Sequence, residues 1–187
     1  MLDACATLHA KQLRSASGVD PIEVLNRLAT AMRVRFATTT GVENEQVAMS
    51  LSSSIGAWKA VQAFGVEPVS VNERRAVRNR LTKGMKTPGD RDIGLVALAA
   101  RKNAVLLTHD DAAGVLARKC QVISVDLLDL ADIIVSRQVA AWPDVEQGHQ
   151  KLATFAWKPD DWVGTVEATV MSRPSRQKLH NLLAAWP

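Results

Sequence analysis

The chain has 187 residues and a formal net charge of +4, with 23 lysine and arginine residues against 19 aspartate and glutamate residues. Hydrophobic residues make up 47% and charged residues 22% of the sequence, which excludes a disordered chain and gives enough apolar side chains for a core. The length suits one domain with an appendage rather than two full domains, and the positive charge suits a nucleic-acid partner.

Short apolar runs typical of strands alternate with helical patterns over residues 1–136. The predicted strands are Met1–Leu2, Val34–Thr39, Val66–Val71, Ala104–Thr108 and Gln121–Val125. The predicted helices are Ala4–Leu13, Val24–Met32, 43–51, 55–64, Glu73–Met85, Asp92–Arg101, Asp111–Lys119 and Asp126–Val139. Because strands alternate with helices, we expect an α/β fold, a three-layer α/β/α sandwich with a mainly parallel sheet.

Local signals place several boundaries of these elements. Asp20 and Pro21 suit the N-cap and first turn of the helix that ends at Met32. Gly65 is expected to end one helix, and Asn72 to cap the next. Pro68 indicates an edge position for its strand.

Residues 137–187 differ in character from the α/β part. Four of the five tryptophans and four of the seven prolines lie there, and no long hydrophobic period emerges. Tryptophan side chains require burial. We therefore expect a Trp-rich C-terminal extension that packs on the core or on a partner.

The compartment is predicted from the cysteines and the N-terminal sequence. Cys5 and Cys120 are far apart and form no CxxC motif, which indicates a reducing environment. The N-terminal sequence MLDACATLHAKQL does not resemble a secretory signal, and no apolar stretch approaches the roughly 20 residues that span a bilayer. We expect a cytoplasmic protein that is not embedded in a membrane.

Four acidic residues follow predicted strands or open predicted helices. They are Asp3, Glu43, Asp92 and Asp110. Ligands of parallel sheets bind outside the carboxyl ends of the strands, so these acids could converge at one edge. Adjacent carboxylates raise each other's pKa unless a cation compensates them, and oxygen ligands favour Mg²⁺ or Mn²⁺.

Each of these acids also has a local interpretation. Asp92, Asp110 and Asp111 suit helix caps or turns, and Glu43 competes with Glu45 for the second acidic position. The set of acids therefore carries the prediction of a metal site.

Seven cationic residues lie between Val71 and Arg91, against only Glu73 and Asp90. They are Arg74, Arg75, Arg78, Arg80, Lys83, Lys86 and Arg91. One interpretation is a helix that contacts RNA phosphates beside the site, and the alternative is a solvated helix face.

Four pieces of the chain resemble the PIN-domain family. They are LDACATL (Leu2–Leu8), Thr39–Glu45, Gly89–Asp111 and Val122–Ile134, and the third is the most specific: an acid opens an apolar helix, and the next strand ends in Thr-x-Asp. The resemblance spans residues 1–136. It implies an Mg²⁺- or Mn²⁺-dependent ribonuclease with the acidic residues Asp3, Glu43, Asp92 and Asp110.

The resemblance also implies finer roles. Asp3, Asp92 and Asp110 would be metal ligands, Thr108 the supporting hydroxyl, and Asp111 an outer contact. The implied partners are RNA, a second copy of the chain and, if the protein is a toxin similar to VapC proteins, a cognate antitoxin. The first strand is short and Cys5 stands where the family often has a hydroxyl. A catalytically weak module that binds RNA or protein is therefore the alternative.

Overall fold

The computed structural model describes residues 21–48, 64–155 and 160–184. The predicted strand Met1–Leu2, the predicted helix Ala4–Leu13, most of the predicted helices in 43–64, Asp3 and Cys5 lie outside these residues. The helices are α1 Pro21–Met32, α2 Thr40–Ala48, α3 Val71–Arg78, α4 Asp90–Lys102, α5 Asp111–Lys119, α6 Leu127–Ser136, α7 Trp142–Phe155, α8 Val166–Ser172 and α9 Arg176–Ala184. The strands are β1 Phe36–Thr39, β2 Phe64–Glu67, β3 Leu106–Leu107 and β4 Ser124–Val125.

The strands form two parallel pairs. β1 pairs with β2, with Phe36 opposite Phe64, and β3 pairs with β4, with Leu106 opposite Ser124. Helix α4 contacts both β1 and β3. The mixed α/β class with parallel strands is confirmed. Within the described ranges the two pairs are separate, so a single sheet in a three-layer sandwich stays a prediction.

The boundary predicted at Gly65 is wrong. Gly65 lies inside β2, opposite Ala37 of β1, and β2 runs from Phe64 to Glu67. Strand pairing with a distant segment determines its conformation, and this pairing overrides the local preference of glycine for a helix end. Pro68 follows the strand directly and has no N–H for the ladder, which is consistent with the early strand end.

Helix α3 also differs from its prediction at both ends. Ser70, rather than Asn72, is the N-cap, and a capping box with Glu73 satisfies two backbone N–H groups. The helix ends at Arg78 rather than Met85. The chain then turns, Leu81 packs against the core and Gly84 adopts a positive φ of 89°, which a continuing helix would not allow.

The core is built around α4 and α6. Every residue of α4 from Ile93 to Ala99 is buried, so this stretch of the helix is covered on all sides. A second group of buried side chains surrounds α6 and includes Leu127 and Leu128. Leu107 of β3 and Val125 of β4 belong to the cluster around α6, and Leu106 of β3 to the cluster around α4, so the two clusters anchor these strands.

The described residues after 140 form three helices that the sequence pattern does not predict. Val145 of α7, Val166 and Val170 of α8 and Leu179 of α9 are buried in the same cluster as the apolar residues of α6. α8 and α9 span only seven and nine residues, with Pro174 between them, so no long hydrophobic period indicates them. The described part of the extension therefore packs on the core.

Among the residues that the structure describes, no helix is both long and apolar enough to cross a membrane.

Candidate functional site

A cleft of about 600 Å³ lies at the carboxyl ends of β3 and β4. Arg118 and Arg173 line it together with six aspartates. The aspartates are Asp110, Asp111, Asp126, Asp129, Asp160 and Asp161. Because β3 and β4 are parallel, the residues that follow both strands open onto the same edge. Six carboxyl groups against two guanidinium groups give the cleft a net negative charge.

The Thr108–Asp110 turn forms one wall of this cleft. Thr108 is only 6% exposed, and its hydroxyl accepts a hydrogen bond of 3.1 Å from the backbone N–H of Asp110. The Oδ1 atom of Asp110 accepts one of 2.7 Å from the N–H of Ala113 and thereby caps α5. The capping interpretation of Asp110 is confirmed. The cap engages one carboxylate oxygen, and Thr108 fixes the backbone that presents it.

Asp92 is not the N-cap of its helix. α4 begins at Asp90, after Gly89 in the cap position, and Asp92 lies in the first turn. A Cβ atom at Gly89 would lie 3.0 Å from the Oδ2 atom of Asp92, so this carboxylate reaches back over the start of the helix. The glycine leaves the room that this carboxylate occupies.

The starts of α2 and α4 are adjacent. Arg91 of α4 forms an ion pair with Glu45 of α2, and a Cβ atom at Gly41 would lie 3.8 Å from the Cγ atom of Arg91. Glu43 and Asp92 therefore stand on neighbouring helix ends, and the competing acid Glu45 is occupied by Arg91. Neither Glu43 nor Asp92 lines the cleft that Asp110 lines.

Sequence reading missed the other wall of the cleft. Arg173 donates hydrogen bonds to Asp126 at 2.9 Å, to Asp129 at 3.3 Å and to Asp161 at 2.8 Å. Burial disfavours its charge, but the hydrogen bond to Asp161 and the charges of Asp126 and Asp129 outweigh burial and raise the pKa of Arg173. Burial, and then the charge of Asp126, raise the pKa of Asp129 to about 6.

Of the residues in this wall, only Asp126 and Asp129 could be predicted from a local sequence pattern. Asp126 and Asp129 form a reciprocal capping box at the start of α6, which the Asp-x-x-Asp spacing could have suggested. Arg173 lies 44 residues beyond Asp129 and has no such signal.

The seven predicted RNA-binding cations do not form one helix face. Arg74, Arg75 and Arg78 lie on α3, Arg80, Lys83 and Lys86 follow it, and Arg91 is on α4. Arg78 pairs with Asp90, and Arg91 with Glu45. Within the described residues, the other five have no carboxylate partner: Arg74, Arg75, Arg80, Lys83 and Lys86.

The donor types of the predicted acids suit a hard divalent cation. In the described ranges, however, no three His, Cys, Asp or Glu side chains are grouped so that they could hold a metal ion, and Asp3 lies outside these ranges. Comparisons with protein-family models, curated proteins and solved structures find no match to the chain. The PIN-domain resemblance therefore rests on the four sequence pieces and stays a hypothesis.

Proposed function

We propose that this chain is a metal-dependent ribonuclease that hydrolyses RNA phosphodiester bonds with Mg²⁺ or Mn²⁺. The observation that carries the proposal is the Thr108–Asp110 turn at the carboxyl end of β3, held beside Asp126 at the end of the parallel strand β4. This is the edge of a parallel α/β sheet where ligands bind.

The proposed roles follow from the chemistry of the side chains. Asp3, Asp92 and Asp110 would hold the metal, and Glu43 would hold it or orient the attacking water. Asp110 can cap α5 with Oδ1 and bind the metal through its other carboxylate oxygen, while the hydroxyl of Thr108 holds the backbone of the turn. Asp111, exposed beside it, would bind through water. When bound, the metal supplies an activated water and positive charge near the phosphate.

Cationic side chains near the start of α4 would hold the RNA backbone. Arg75, Arg80, Lys83 and Lys86 are exposed, and an exposed cation binds a phosphate while releasing counterions. Arg75 lies on α3, the other three lie between α3 and α4, and α4 carries Asp92 in its first turn. We further propose that the protein is a toxin of a toxin–antitoxin pair and forms a homodimer in the cytoplasm.

A cleavage assay with matched substitutions tests the catalytic proposal. Asp92→Asn keeps the shape of the side chain but removes its charge. RNA cleavage with Mg²⁺ or Mn²⁺ should then fall at least about hundredfold, because metal-assisted charge stabilisation is worth several kcal/mol. Asp90→Asn is the control: this residue occupies the same helical turn, is exposed and pairs with Arg78, so its variant should retain nearly full activity.

The second acidic position can be tested in the same way. Glu43→Gln should abolish most of the cleavage, while Glu45→Gln should lose only the ion pair with Arg91. Equal cleavage by wild type and Asp92→Asn would overturn the proposal. Calorimetry with Mn²⁺ gives an independent result, since absence of binding at millimolar metal would contradict a metal site.

One observation favours the alternative of a catalytically weak module that binds RNA or protein. Asp126 and Asp129, in the same cleft as Asp110, are bound to Arg173, so two of the nearest acids are already compensated. Such a module should bind RNA in the absence of divalent metal and cleave none when metal is added.

A further inference from the structure

A second cleft, of about 620 Å³, lies at the opposite end of the strands from the acidic one. Its lining comes from the segments just before β1, β3 and β4 and from the C-terminal ends of α1, α4 and α5. Leu182 of α9 completes it. The cleft has no part in the proposed ribonuclease site.

Three helices end at this cleft with the same cap. Arg33, Asn103 and Gln121 each adopt a positive φ, between 49° and 60°, after the last turn of the helix. In each case the next residue donates its N–H to a carbonyl group of the helix, at 2.9 to 3.0 Å. These bonds satisfy carbonyl groups that would otherwise present negative charge to the cleft.

The charged side chains of the cleft are all cationic. Arg33, Arg35 and Lys102 line it, and no aspartate or glutamate is among its described lining residues. Lys102 pairs with Glu67. Arg33 and Arg35 have no carboxylate partner among the described residues, and both are exposed. Two cations that line the same cleft without a carboxylate partner favour an anionic ligand.

The size and the remaining lining define the anion further. Pockets for small organic ligands have volumes of about 300–1,000 Å³, so a bare phosphate would leave most of this cleft empty. The rest of the lining is largely apolar and includes Val34, Ala100, Ile123 and Leu182. Asn103 and Gln121 offer amide groups at the rim.

We propose that this cleft binds a mononucleotide, with the phosphate on Arg33 and Arg35 and the base against the apolar wall. Guanidinium groups bind phosphate oxygens through paired, charge-assisted hydrogen bonds. The amide side chains of Asn103 and Gln121 can hydrogen-bond the edge of a base. The inference concerns a different edge of the strands and does not depend on the ribonuclease proposal.

Titration calorimetry of the full chain with AMP tests this site. AMP should bind, and adenosine and inorganic phosphate should each bind at least about tenfold more weakly, a difference of about 1.4 kcal/mol. The double variant Arg33→Gln/Arg35→Gln should lose at least the same factor. Arg27→Gln/Arg137→Gln removes the same charge from two exposed positions outside both proposed sites and should bind AMP like wild type, which separates a local contact from an effect of net charge.

Cys120 provides a second readout inside the cleft. Its thiol is free and half-buried, and it lines the cleft, so bound AMP should slow its alkylation. Peptide mass spectrometry separates Cys120 from Cys5, the other cysteine of the chain. In the double variant at Arg33 and Arg35, AMP should no longer protect Cys120.

Three results would overturn the assignment. They are an absence of AMP binding at millimolar concentration, AMP affinity unchanged in the double variant at Arg33 and Arg35, and alkylation of Cys120 unaffected by AMP. Asp92→Asn should bind AMP like wild type. Loss of RNA cleavage with AMP binding retained would therefore mark the two sites as independent, and a failure of either proposal leaves the other standing.

Discussion

Arg173 and Arg75 differ in the two properties that decide whether a guanidinium group can bind a ligand. The side chain of Arg173 is 10% exposed and hydrogen-bonded to three carboxylates, those of Asp126, Asp129 and Asp161. Arg75, on α3, is exposed and has no carboxylate partner among the described residues. The first is fully engaged within the molecule, and the second is open to solvent and to ligands.

The same contrast separates two regions. Near the C-terminal end, Arg176 binds both oxygens of Asp132, at 3.0 and 3.1 Å, and His180 contacts the same carboxylate, which is 2% exposed. These contacts join α9 to α6. Between α3 and α4, most cations face solvent. Positive charge therefore stabilises the fold in the C-terminal helices, while the cations of the region from α3 to α4 are the ones a phosphate backbone could reach.

The largest expected effect comes from removing the ion pairs of Arg173 with Asp126 and Asp129. Arg173→Ala leaves Asp126 and Asp129 without their cation in a partly buried site, and removing one partner of such a pair costs about 3 kcal/mol in the free energy of unfolding. Arg75→Ala should change it by less than about 0.5 kcal/mol. Urea unfolding of both variants measures the difference. Equal free energies of unfolding for the two variants would contradict a stabilising role of the Arg173 ion pairs.

A smaller effect should appear as a pH dependence of stability. The pKa of Asp129 is raised to about 6 by burial and by the charge of Asp126, whereas an unfolded aspartate has a pKa near 3.9. The folded state therefore holds this proton more tightly. Its contribution is fully present below about pH 4 and is lost as the pH rises through 6, by on the order of 2 kcal/mol. Urea unfolding between pH 4 and 7 measures it.

Asp129→Asn isolates this contribution. Burial lowers the pKa of His149, so this residue acts in the opposite direction, and its stability contribution is lost as the pH falls. Because His149 is present in both proteins, the difference between wild type and variant reports on Asp129. That difference should change with pH between 4 and 6. A difference that is constant over this range would contradict the raised pKa.

The elements that sequence reading predicted well are those whose signals are local. The bounds of α5, Asp111–Lys119, agree with the prediction because an N-cap aspartate precedes an apolar helical period. The prediction at Gly65 is wrong because its conformation depends on pairing with β1, which is distant in the chain. The predicted strands Ala104–Thr108 and Gln121–Val125 are longer than β3 and β4 for the same reason. Pairing with the neighbouring strand, rather than propensity, determines where a strand ends.

The candidate site shows the same division. The Thr108–Asp110 turn was found because its residues are adjacent to a strand with a clear apolar pattern. Arg173, which forms the opposite wall, contacts Asp126 across 47 residues of sequence, and no local pattern indicates such a contact. The predicted convergence of Asp3, Glu43, Asp92 and Asp110 is likewise a long-range property. It remains a prediction, because Asp3 lies outside the described residues and Glu43 and Asp92 do not line the cleft that Asp110 lines.

Substitution of Arg75 should have the smallest effect on the free energy of unfolding and the largest effect on RNA binding. Arg75 and Arg78 are both exposed and lie on α3, but Arg78 pairs with Asp90 while Arg75 has no carboxylate partner in the described part of the chain. With EDTA present to prevent cleavage, Arg75→Gln should weaken RNA binding and lower the slope of log affinity against log salt by about 1, the value for one lost phosphate contact. Arg78→Gln should change both less, because its charge is already offset. If the two variants bind alike, pairing does not decide which cations reach RNA, and the contrast between Arg173 and Arg75 reflects burial alone.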